Sequence, residues 1–187
     1  MILMVAFVLV AATVPLTGGD LTALGRMNLR WMPALFATLI AQILVTTIAS
    51  DSVSPELLSA VHIATYLPAA AFVWVNRSIR GLPLLGLGGA MNFAAIAANG
   101  GVMPSLPAAA AAAGHTAGST FVNSAPSSGS ALWFLGDVFA WPQPLPLANV
   151  FSVGDVLLLV GAALVLHTAC RQGPAQVASR STSPHST

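Results

Sequence analysis

Five apolar stretches close to the length of a membrane helix divide the chain and carry almost none of its charge. They cover about residues 1–16, 31–49, 57–75, 82–98 and 150–169. A helix needs about 20 mostly apolar residues to cross about 30 Å of hydrocarbon. No stretch holds an internal Lys, Arg or Glu, so each avoids a cost of about 2.5–3.5 kcal/mol for a central charge. The pattern predicts an all-α fold, a polytopic membrane helix bundle with five transmembrane helices.

The overall composition excludes the other protein classes. Of the 187 residues, 56% are apolar and 6% are charged, whereas about 25% are charged in an ordinary soluble domain. Lys and Arg total 6 against 5 Asp and Glu, so the chain lacks the dense basic surface that nucleic acid requires. A single cysteine excludes a disulfide framework and any multi-cysteine metal site. The lipid bilayer is therefore the expected partner.

The arginines predict how the chain is threaded through the bilayer. There is no lysine, and with five spans every arginine falls on the same side: Arg26, Arg30, Arg77, Arg80, Arg171 and Arg180. The positive-inside rule makes that side cytoplasmic, which places the N-terminus outside and the C-terminus inside. The first span lacks the basic start of a secretory signal peptide, which favours a retained helix over a cleaved one.

Outside the spans there is one long loop, the outer loop of residues 99–149, and a short tail follows the last span. The bundle and its loop form one domain over residues 1–170, and residues 171–187 form a Ser/Thr/Pro-rich cytoplasmic tail expected to be disordered. Asn99-Gly100-Gly101 predicts a tight turn, and Ser105 is expected to cap a short alanine helix that Gly114 ends. Residues 115–130 read as a flexible link, and residues 132–141 predict a second short, interfacial helix.

Within the spans, small and amide side chains predict contacts between helices. Gly86, Ala90, Ala94 and Ala98 recur at four-residue spacing, so we expect this stripe of the fourth span to pack closely on a neighbouring helix. Asn92 and Gln42 are the membrane-embedded polar residues. Each is expected to hydrogen bond between helices, although both could instead line a polar path. Pro68 predicts a kink in the third span.

The outer side holds a candidate binding site. Ser152 and Asp155 form a capping-box pattern at the start of the fifth span. His62 and Tyr66, four residues apart, share one helix face. The outer acids and imidazoles are Asp51, Glu56, Asp137, Asp155, His62 and His115. Their negative potential could attract a cation, but no metal-ligand spacing is present, so neither a metal nor another cofactor is predicted. We expect the loop to fold back and bring Asp137 and Asp155 towards His62 and the Asn99–Pro104 turn.

The order of these motifs resembles a family of small, five-span bacterial integral membrane proteins that is catalogued only as a domain of unknown function. The resemblance covers about residues 1–170 and implies a bacterial plasma membrane location, but supplies no reaction or catalytic residue. The matching motifs are Gly18-Gly19, Leu29-Arg30-Trp31, Gln42, His62, Tyr66, Asn92, Asn99-Gly100-Gly101-x-Met103-Pro104, Leu135-Gly136-Asp137 and Ser152-Val153-Gly154-Asp155.

No catalytic constellation is evident, so the sequence favours a non-enzymatic accessory or scaffold protein of the plasma membrane and assigns no catalytic residue. Its partner would be another membrane protein or a second copy of the chain. The alternative is a small transporter or ligand-binding membrane protein that uses the outer polar patch, namely His62, Tyr66, Asn99, Gly100, Gly101, Asp137 and Asp155. A membrane enzyme using Asp137 or Asp155 with His62 is a third possibility.

Overall fold

The computed structural model of the chain describes residues 2–47, 54–114, 124–126 and 129–171. The described part is mostly helical. Its α-helices are α1 (Ile2–Leu16), α2 (Met32–Thr47), α3 (Pro55–Ala64), α4 (Tyr66–Val75), α5 (Leu82–Ala98), α6 (Pro107–Ala112) and α7 (Val153–Cys170). Two 3-10 helices cover Leu21–Arg26 and Trp133–Leu135. The strands are β1 (Met103–Ser105), β2 (Ser124–Pro126), β3 (Phe139–Trp141) and β4 (Asn149–Phe151).

Each predicted span contains a helix, but the third and fifth spans differ from the prediction in where their helices begin or end. The third span is two helices, α3 and α4, which meet at Thr65, three residues before Pro68. Proline has no N–H to donate to the carbonyl four residues earlier, and its ring crowds that carbonyl. The helix is therefore interrupted where the kink was expected. The fifth helix starts at Val153 rather than residue 150, because residues 149–151 form strand β4 with β3.

Two helical segments are long and apolar enough to cross a membrane, Glu56–Val75 and Val153–Cys170. The other apolar helices, Ile2–Leu16, Met32–Leu44 and Leu82–Ala98, are shorter. Large apolar side chains point away from the protein on several of them: Leu67 and Trp74 are 69% and 67% exposed, and Phe36 and Ile40 are more than half exposed.

Neighbouring long helices run in alternating directions along the chain. Gly81, just before α5, meets Gly161 in the middle of α7, and Gly88 meets Gly154 at the start of α7, so these two helices are antiparallel. The end of α1 packs on the end of α7, where Val14, Leu166 and Cys170 form a buried cluster. The start of α2 is tied to the end of α4 by hydrogen bonds between Arg30 and Asn76.

This alternation gathers the described arginines at one end of the helices, which we name the arginine end. The segments at this end are residues 17–31, 76–81 and 168–171. The backbone N–H of Asp20 donates to the carbonyl of Cys170, which joins the first segment to the third. A cleft of about 580 Å³ between the three segments is lined by Arg26, Arg80 and Thr168 among others. The opposite end, where α5 ends and α7 begins, is the loop end.

The connection between α5 and α7 forms a small folded layer at the loop end. β1 pairs in parallel with β2, and β3 pairs with β4 as an antiparallel hairpin. Helix α6 packs its alanines on this hairpin, where Ala109, Ala113 and Val150 are buried together. Met103 and Leu135 pack against Tyr66 and Ile96 and so attach the layer to α4 and α5.

The layer corrects two details of the expected loop. Residues 132–141 do not form an interfacial helix: a 3-10 turn covers Trp133–Leu135 and strand β3 covers Phe139–Trp141. Gly136 follows the turn in an extended conformation, and aromatic side chains favour a paired strand, in which Phe139 stacks on Phe151. Helix α6 is present, but its N-cap is Leu106.

Ser105, the expected cap of α6, instead lies in β1, and Gly114 has a positive φ of 77° beyond the end of the helix. Several predictions fall outside the described residues. These are Asp51, His115, Arg180, most of the 115–130 link and the tail after residue 171.

Candidate functional site

Glycines bring α5 and α7 into backbone contact. A Cβ added at Gly88 would lie 2.5 Å from the carbonyl oxygen of Gly154, and one added at Gly161 would lie 2.4 Å from the backbone nitrogen of Leu85. Gly88, Gly154 and Gly161 are all buried. Because no side chain separates the helices at these points, polar groups on the two backbones and their short side chains come within hydrogen-bonding distance.

The predicted contact stripe of α5 does not face α7, and its Gly86 packs closely on α4. Ala90 and Ala98 are exposed, and Gly86 faces Val73 of α4. The contact with α7 uses Gly81, Leu85, Gly88 and Asn92 instead. Both faces of α5 are rich in small residues, so four-residue spacing of small residues does not identify which face meets the neighbouring helix.

Asn92 joins the two helices through both ends of its amide. Its Nδ2 donates to Oδ1 of Asp155 at 2.8 Å, and its Oδ1 accepts from Oγ of Ser152 at 2.8 Å. Ser152 is fully buried, and Asn92 is 9% exposed. The expectation that Asn92 hydrogen bonds between helices is confirmed. We name Asn92, Ser152 and Asp155 the α5–α7 polar network.

The same network contains the capping box predicted from the sequence. The backbone N–H of Asp155 donates to Oγ of Ser152 at 3.0 Å, and the backbone N–H of Ser152 donates to Oδ2 of Asp155 at 2.9 Å. This satisfies two N–H groups that a helix start otherwise leaves without an intrahelical partner. One carboxylate oxygen of Asp155 therefore caps α7, and the other accepts from Asn92.

A second polar chain joins α2 to the junction of α3 and α4. Nε2 of Gln42 donates to Oγ1 of Thr65 at 2.7 Å, and Oγ1 of Thr65 donates to the carbonyl of His62 at 2.5 Å. Gln42 therefore hydrogen bonds between helices, as expected. Thr65 is the buried partner that the sequence alone did not identify. Its only signal is its place three residues before a proline within an apolar span.

His62 and Tyr66 lie between these two polar groups. Their ring centroids are 5.7 Å apart, and the Tyr66 ring lies 5.1 Å from that of Phe93 on α5. His62 is 9% exposed, and among the described residues nothing hydrogen bonds to its buried Nε2. The predicted face sharing of His62 and Tyr66 is present, and it brings the pair against α5 rather than leaving it at the protein surface.

The turn after α5 places Asn99, Gly100 and Gly101 at the base of the loop layer. Nδ2 of Asn99 donates to the carbonyls of Ala95 and Ala131, and its Oδ1 accepts from the N–H of Ala131. Both glycines have positive φ, 69° and 92°. L-residues with a Cβ rarely adopt this conformation, so the predicted tight turn is confirmed.

The loop folds back over this turn as expected. The backbone N–H of Asp137 donates to the carbonyl of Pro104 at 2.9 Å, and the carbonyl of Asp137 accepts from Leu106. Asp137 is 7% exposed. The structure therefore places Asp137 beside the Asn99–Pro104 turn, whereas Asp155 lies in the α5–α7 polar network. The described contacts assign the two carboxylates to different layers of the protein.

An open groove of about 690 Å³ runs between α4 and α5. Most of its lining is apolar. Tyr66 and Asn92 line it towards the loop end, and Trp74 and Arg77 line it towards the arginine end. Two polar groups therefore reach the groove. The His62–Tyr66 pair does so through Tyr66, and the α5–α7 polar network does so through Asn92. Sequence spacing did not indicate the groove.

At the arginine end, two polar contacts were not foreseen. Asn76 is 3% exposed and exchanges two hydrogen bonds with the backbone of Arg30, at 2.9 and 2.8 Å. Asp20 accepts from Thr22 and forms an exposed ion pair with Arg26 at 3.1 Å. Hydrogen bonds from Thr22, followed by the one from Arg26, lower the pKa of the Asp20 carboxyl below its ordinary value. These contacts order the ends of the helices.

The described residues contain no group of three or more His, Cys, Asp or Glu side chains that could hold a metal ion. The arrangement at the loop end is instead a set of hydrogen-bonded polar side chains inside an apolar helix bundle. Chemically, it can stabilise the close packing of α5 and α7 and present Tyr66 and Asn92 to the groove.

The fold and these contacts define a mostly helical protein in which two helical segments are long and apolar enough to cross a membrane. Residues 26–167 match the family of unknown function DUF5317, and the chain belongs to that family. The match includes every member of the α5–α7 polar network and the groove. No curated protein and no solved structure shows significant similarity to the chain.

Proposed function

We propose that this chain is an integral protein of the bacterial plasma membrane that crosses the bilayer five times, with its arginine end in the cytoplasm and its N-terminus outside. The observation that carries the proposal is the gathering of Arg26, Arg30, Arg77, Arg80 and Arg171 at one end of helices whose sides expose large apolar residues. Cytoplasmic loops of membrane proteins carry an excess of basic residues.

The exposed apolar area supports the same proposal. Monomeric soluble proteins rarely expose contiguous apolar patches larger than a few hundred Å². Here Phe7, Leu9, Ile43, Leu67 and Val160 are each between 44% and 69% exposed, and they lie on four different helices. Helices α1, α2 and α5 have 15, 16 and 17 residues, and helices of this length cross a bilayer when they are nearly upright or when the bilayer thins locally.

Within the membrane, we assign the protein a non-enzymatic accessory or scaffold role. The supporting observation is that the polar groups of the α5–α7 polar network are hydrogen bonded to one another. Both carboxylate oxygens of Asp155 accept hydrogen bonds, from Asn92 and from the Ser152 backbone. A carboxylate used in this way stabilises a helix start and a helix pair. The exposed helix faces are then the surfaces for a partner membrane protein or a second copy.

A ligand-binding or transport role is the second candidate, and a specific observation favours it. Nε2 of His62 is buried and has no hydrogen-bond partner among the described residues, and His62 contacts Tyr66, which lines the groove. A buried polar atom without a partner costs about 1–3 kcal/mol, which a bound polar ligand would offset. The outer polar patch would then serve as its binding site.

Two experiments test these proposals in order. Alkaline carbonate extraction of membranes from expressing cells should leave the protein in the pellet, and release into the supernatant would overturn the membrane proposal. Native mass spectrometry with elemental analysis of the gently solubilised protein then separates the roles. A retained polypeptide supports the scaffold. A retained small molecule or ion that His62→Phe loses, and that the half-buried control Thr168→Val at the arginine end keeps, supports ligand binding instead.

A further inference from the structure

The groove between α4 and α5 exists because the facing residues are small. Small residues of both helices line it, namely Ala69, Ala70, Gly86, Gly89 and Ala90. A Cβ added at Gly89 would meet no atom within 4 Å. Its volume of about 690 Å³ lies within the range of about 300–1,000 Å³ that is typical of small-molecule sites. The groove is open along its side, so an elongated ligand could enter it laterally.

The groove has the length of one lipid leaflet. It follows α4 over its ten residues, Tyr66–Val75, and at about 1.5 Å per residue that is roughly 15 Å. The hydrocarbon core of a bilayer is about 30 Å thick, so each leaflet contributes about half of it. A groove that starts at the arginine end therefore extends to about the bilayer midplane, as one acyl chain does.

A cationic side chain stands at the mouth of the groove. The guanidinium of Arg77 lies 4.5 Å from the ring centroid of Trp74, and its Nη1 donates to the carbonyl of Trp74 at 2.8 Å. Arg77 is exposed. Among the described residues the salt bridge joins Arg26 to Asp20, and Arg77 forms none. Arginine binds phosphate through a planar fork of donors, and tryptophan favours the headgroup region.

We propose that the α4–α5 groove binds one acyl chain of an anionic phospholipid whose phosphate contacts Arg77. The apolar lining matches the chain, the length matches one leaflet, and the free positive charge lies where the headgroup of that lipid would be. The proposal rests on the membrane location proposed above, but not on the choice between a scaffold and a transporter.

The experiment measures lipid binding to the full chain in detergent by native mass spectrometry, with dioleoyl phosphatidylglycerol as the anionic probe. Gly89→Leu fills the groove without a clash of its Cβ. We expect it to weaken binding by at least about tenfold, the factor for losing the burial of about two methylene groups. The control is Leu87→Phe on the same helix. Leu87 is 52% exposed and does not line the groove, so this variant should bind as the wild type does.

The headgroup contact has its own pair of variants. Arg77→Gln should weaken phosphatidylglycerol binding by about tenfold, since a hydrogen bond between charged partners is worth that factor or more. Binding of dioleoyl phosphatidylcholine, which carries no net charge, should change less. Arg80→Gln removes the same charge three residues further on, from a side chain that lines the other cleft, and should leave the affinity unchanged.

Wild-type affinity in Gly89→Leu would overturn the proposal, as would equal losses in Arg77→Gln and Arg80→Gln. Loss of a dimer mass in Gly89→Leu, with lipid binding unchanged, would assign the groove to a second copy of the chain and also overturn it. Carbonate extraction of the wild-type chain is run in parallel. If the wild-type protein stays in the membrane pellet but the lipid tests fail, only the groove proposal is contradicted. If carbonate releases the wild-type protein into the supernatant, the membrane proposal is contradicted.

Discussion

At the scale of single residues, polar side chains in the apolar helices are used to join helices. Asn92, Ser152 and Asp155 satisfy one another across α5 and α7, and Gln42 and Thr65 do so across α2 and the α3–α4 junction. A buried polar group left unpaired costs about 1–3 kcal/mol, so pairing strongly favours one arrangement of neighbouring helices. Asn92 was recognisable as an interhelical residue, but its partners lie about sixty residues away in the sequence.

Removing the Asn92 amide should destabilise the protein, in part because the hydroxyl of Ser152 loses its acceptor. We expect Asn92→Ala to lower the free energy of unfolding by about 1–3 kcal/mol, because Asp155 Oδ1 and Ser152 Oγ lose their partner. In a double-mutant cycle with Ser152→Ala, the two effects should be non-additive by at least about 0.5 kcal/mol. Chemical unfolding in detergent micelles measures all four proteins. Strict additivity would show that the 2.8 Å contact contributes nothing.

The two glycines after α5 provide a matched pair for a second prediction. Both have positive φ, so alanine at either position should cost about 1–2 kcal/mol of backbone strain. At Gly101, an added Cβ would also lie 2.5 Å from Cβ of Ser59 on α3, whereas at Gly100 it would meet nothing within 4 Å. Gly101→Ala should therefore unfold at a lower denaturant concentration than Gly100→Ala. Equal midpoints would argue against close packing of this turn on α3.

At the scale of elements, the antiparallel pair of α5 and α7 organises the polar site. Glycines on both helices permit backbone contact, and this contact brings Asn92 to the first turn of α7. The sequence identified α5 as a helix with a close neighbour, but the predicted stripe meets α4 at Val73 and is not the face that meets α7. Both faces carry small residues. In a lipid bilayer, the spacing of small residues does not distinguish a face that contacts another helix from one that lines a groove.

Adjacent glycines on α5 should respond oppositely to the same substitution. Gly88→Ala places a Cβ against the carbonyl of Gly154, so the helices must separate, at a cost of about 1–3 kcal/mol. Gly89→Ala adds its methyl group to the open groove. There the higher helix propensity of alanine should stabilise the protein by up to about 1 kcal/mol. Thermal unfolding in micelles compares the two variants, and a reversed order would show that α5 is rotated relative to the described packing.

The loop elements show where local patterns were insufficient. Alanines after Pro107 formed the expected short helix, because alanine has the highest helix propensity and proline suits the first turn. Residues 132–141 have the amphipathic appearance of an interfacial helix but pair as strand β3 with β4. That pairing partner lies on the far side of a proline-rich turn. Strand formation in this segment therefore depends on pairing with residues 149–151, which the sequence pattern of residues 132–141 alone cannot predict.

At the scale of the whole molecule, alternating helix directions place the described arginines at one end and the loop layer at the other. The contacts that establish this are remote in sequence, including Arg30 with Asn76 and Asp20 with Cys170. The separation of charge between the two ends is the basis of the proposed orientation. Cys170 is 1% exposed, so the natural cysteine is a poor reporter of that orientation and serves better as an unlabelled background.

Cysteines introduced at the two ends test the proposed orientation. Ala131 at the loop end and Ser78 at the arginine end are both exposed. A membrane-impermeant maleimide should label Ala131→Cys in intact cells and Ser78→Cys only after permeabilisation, because arginine-rich loops remain in the cytoplasm. The wild type, with its buried Cys170, is the control for background labelling. Labelling of Ser78→Cys alone in intact cells would show the reverse orientation, and labelling of both would contradict a bilayer crossing by α5, which lies between the two positions.

The sequence by itself determined the helical class, the approximate positions of the long helices, the capping box of α7 and the glycine turn after α5. These features depend on apolar length, propensity and chemistry within a few residues, which a sequence contains directly. Membership of a family of unknown function was also foreseen from its motifs.

Only the tertiary structure decided which face of α5 meets α7, that Asn92 joins Ser152 and Asp155, and that Asp137 and Asp155 belong to different layers. It also revealed the groove that ends at Arg77. Each of these features depends on the relative rotation and approach of elements far apart in the chain. Several rotations of an apolar helix bury similar areas, so the choice among them is made by packing of small residues and by pairing of polar groups once the helices meet.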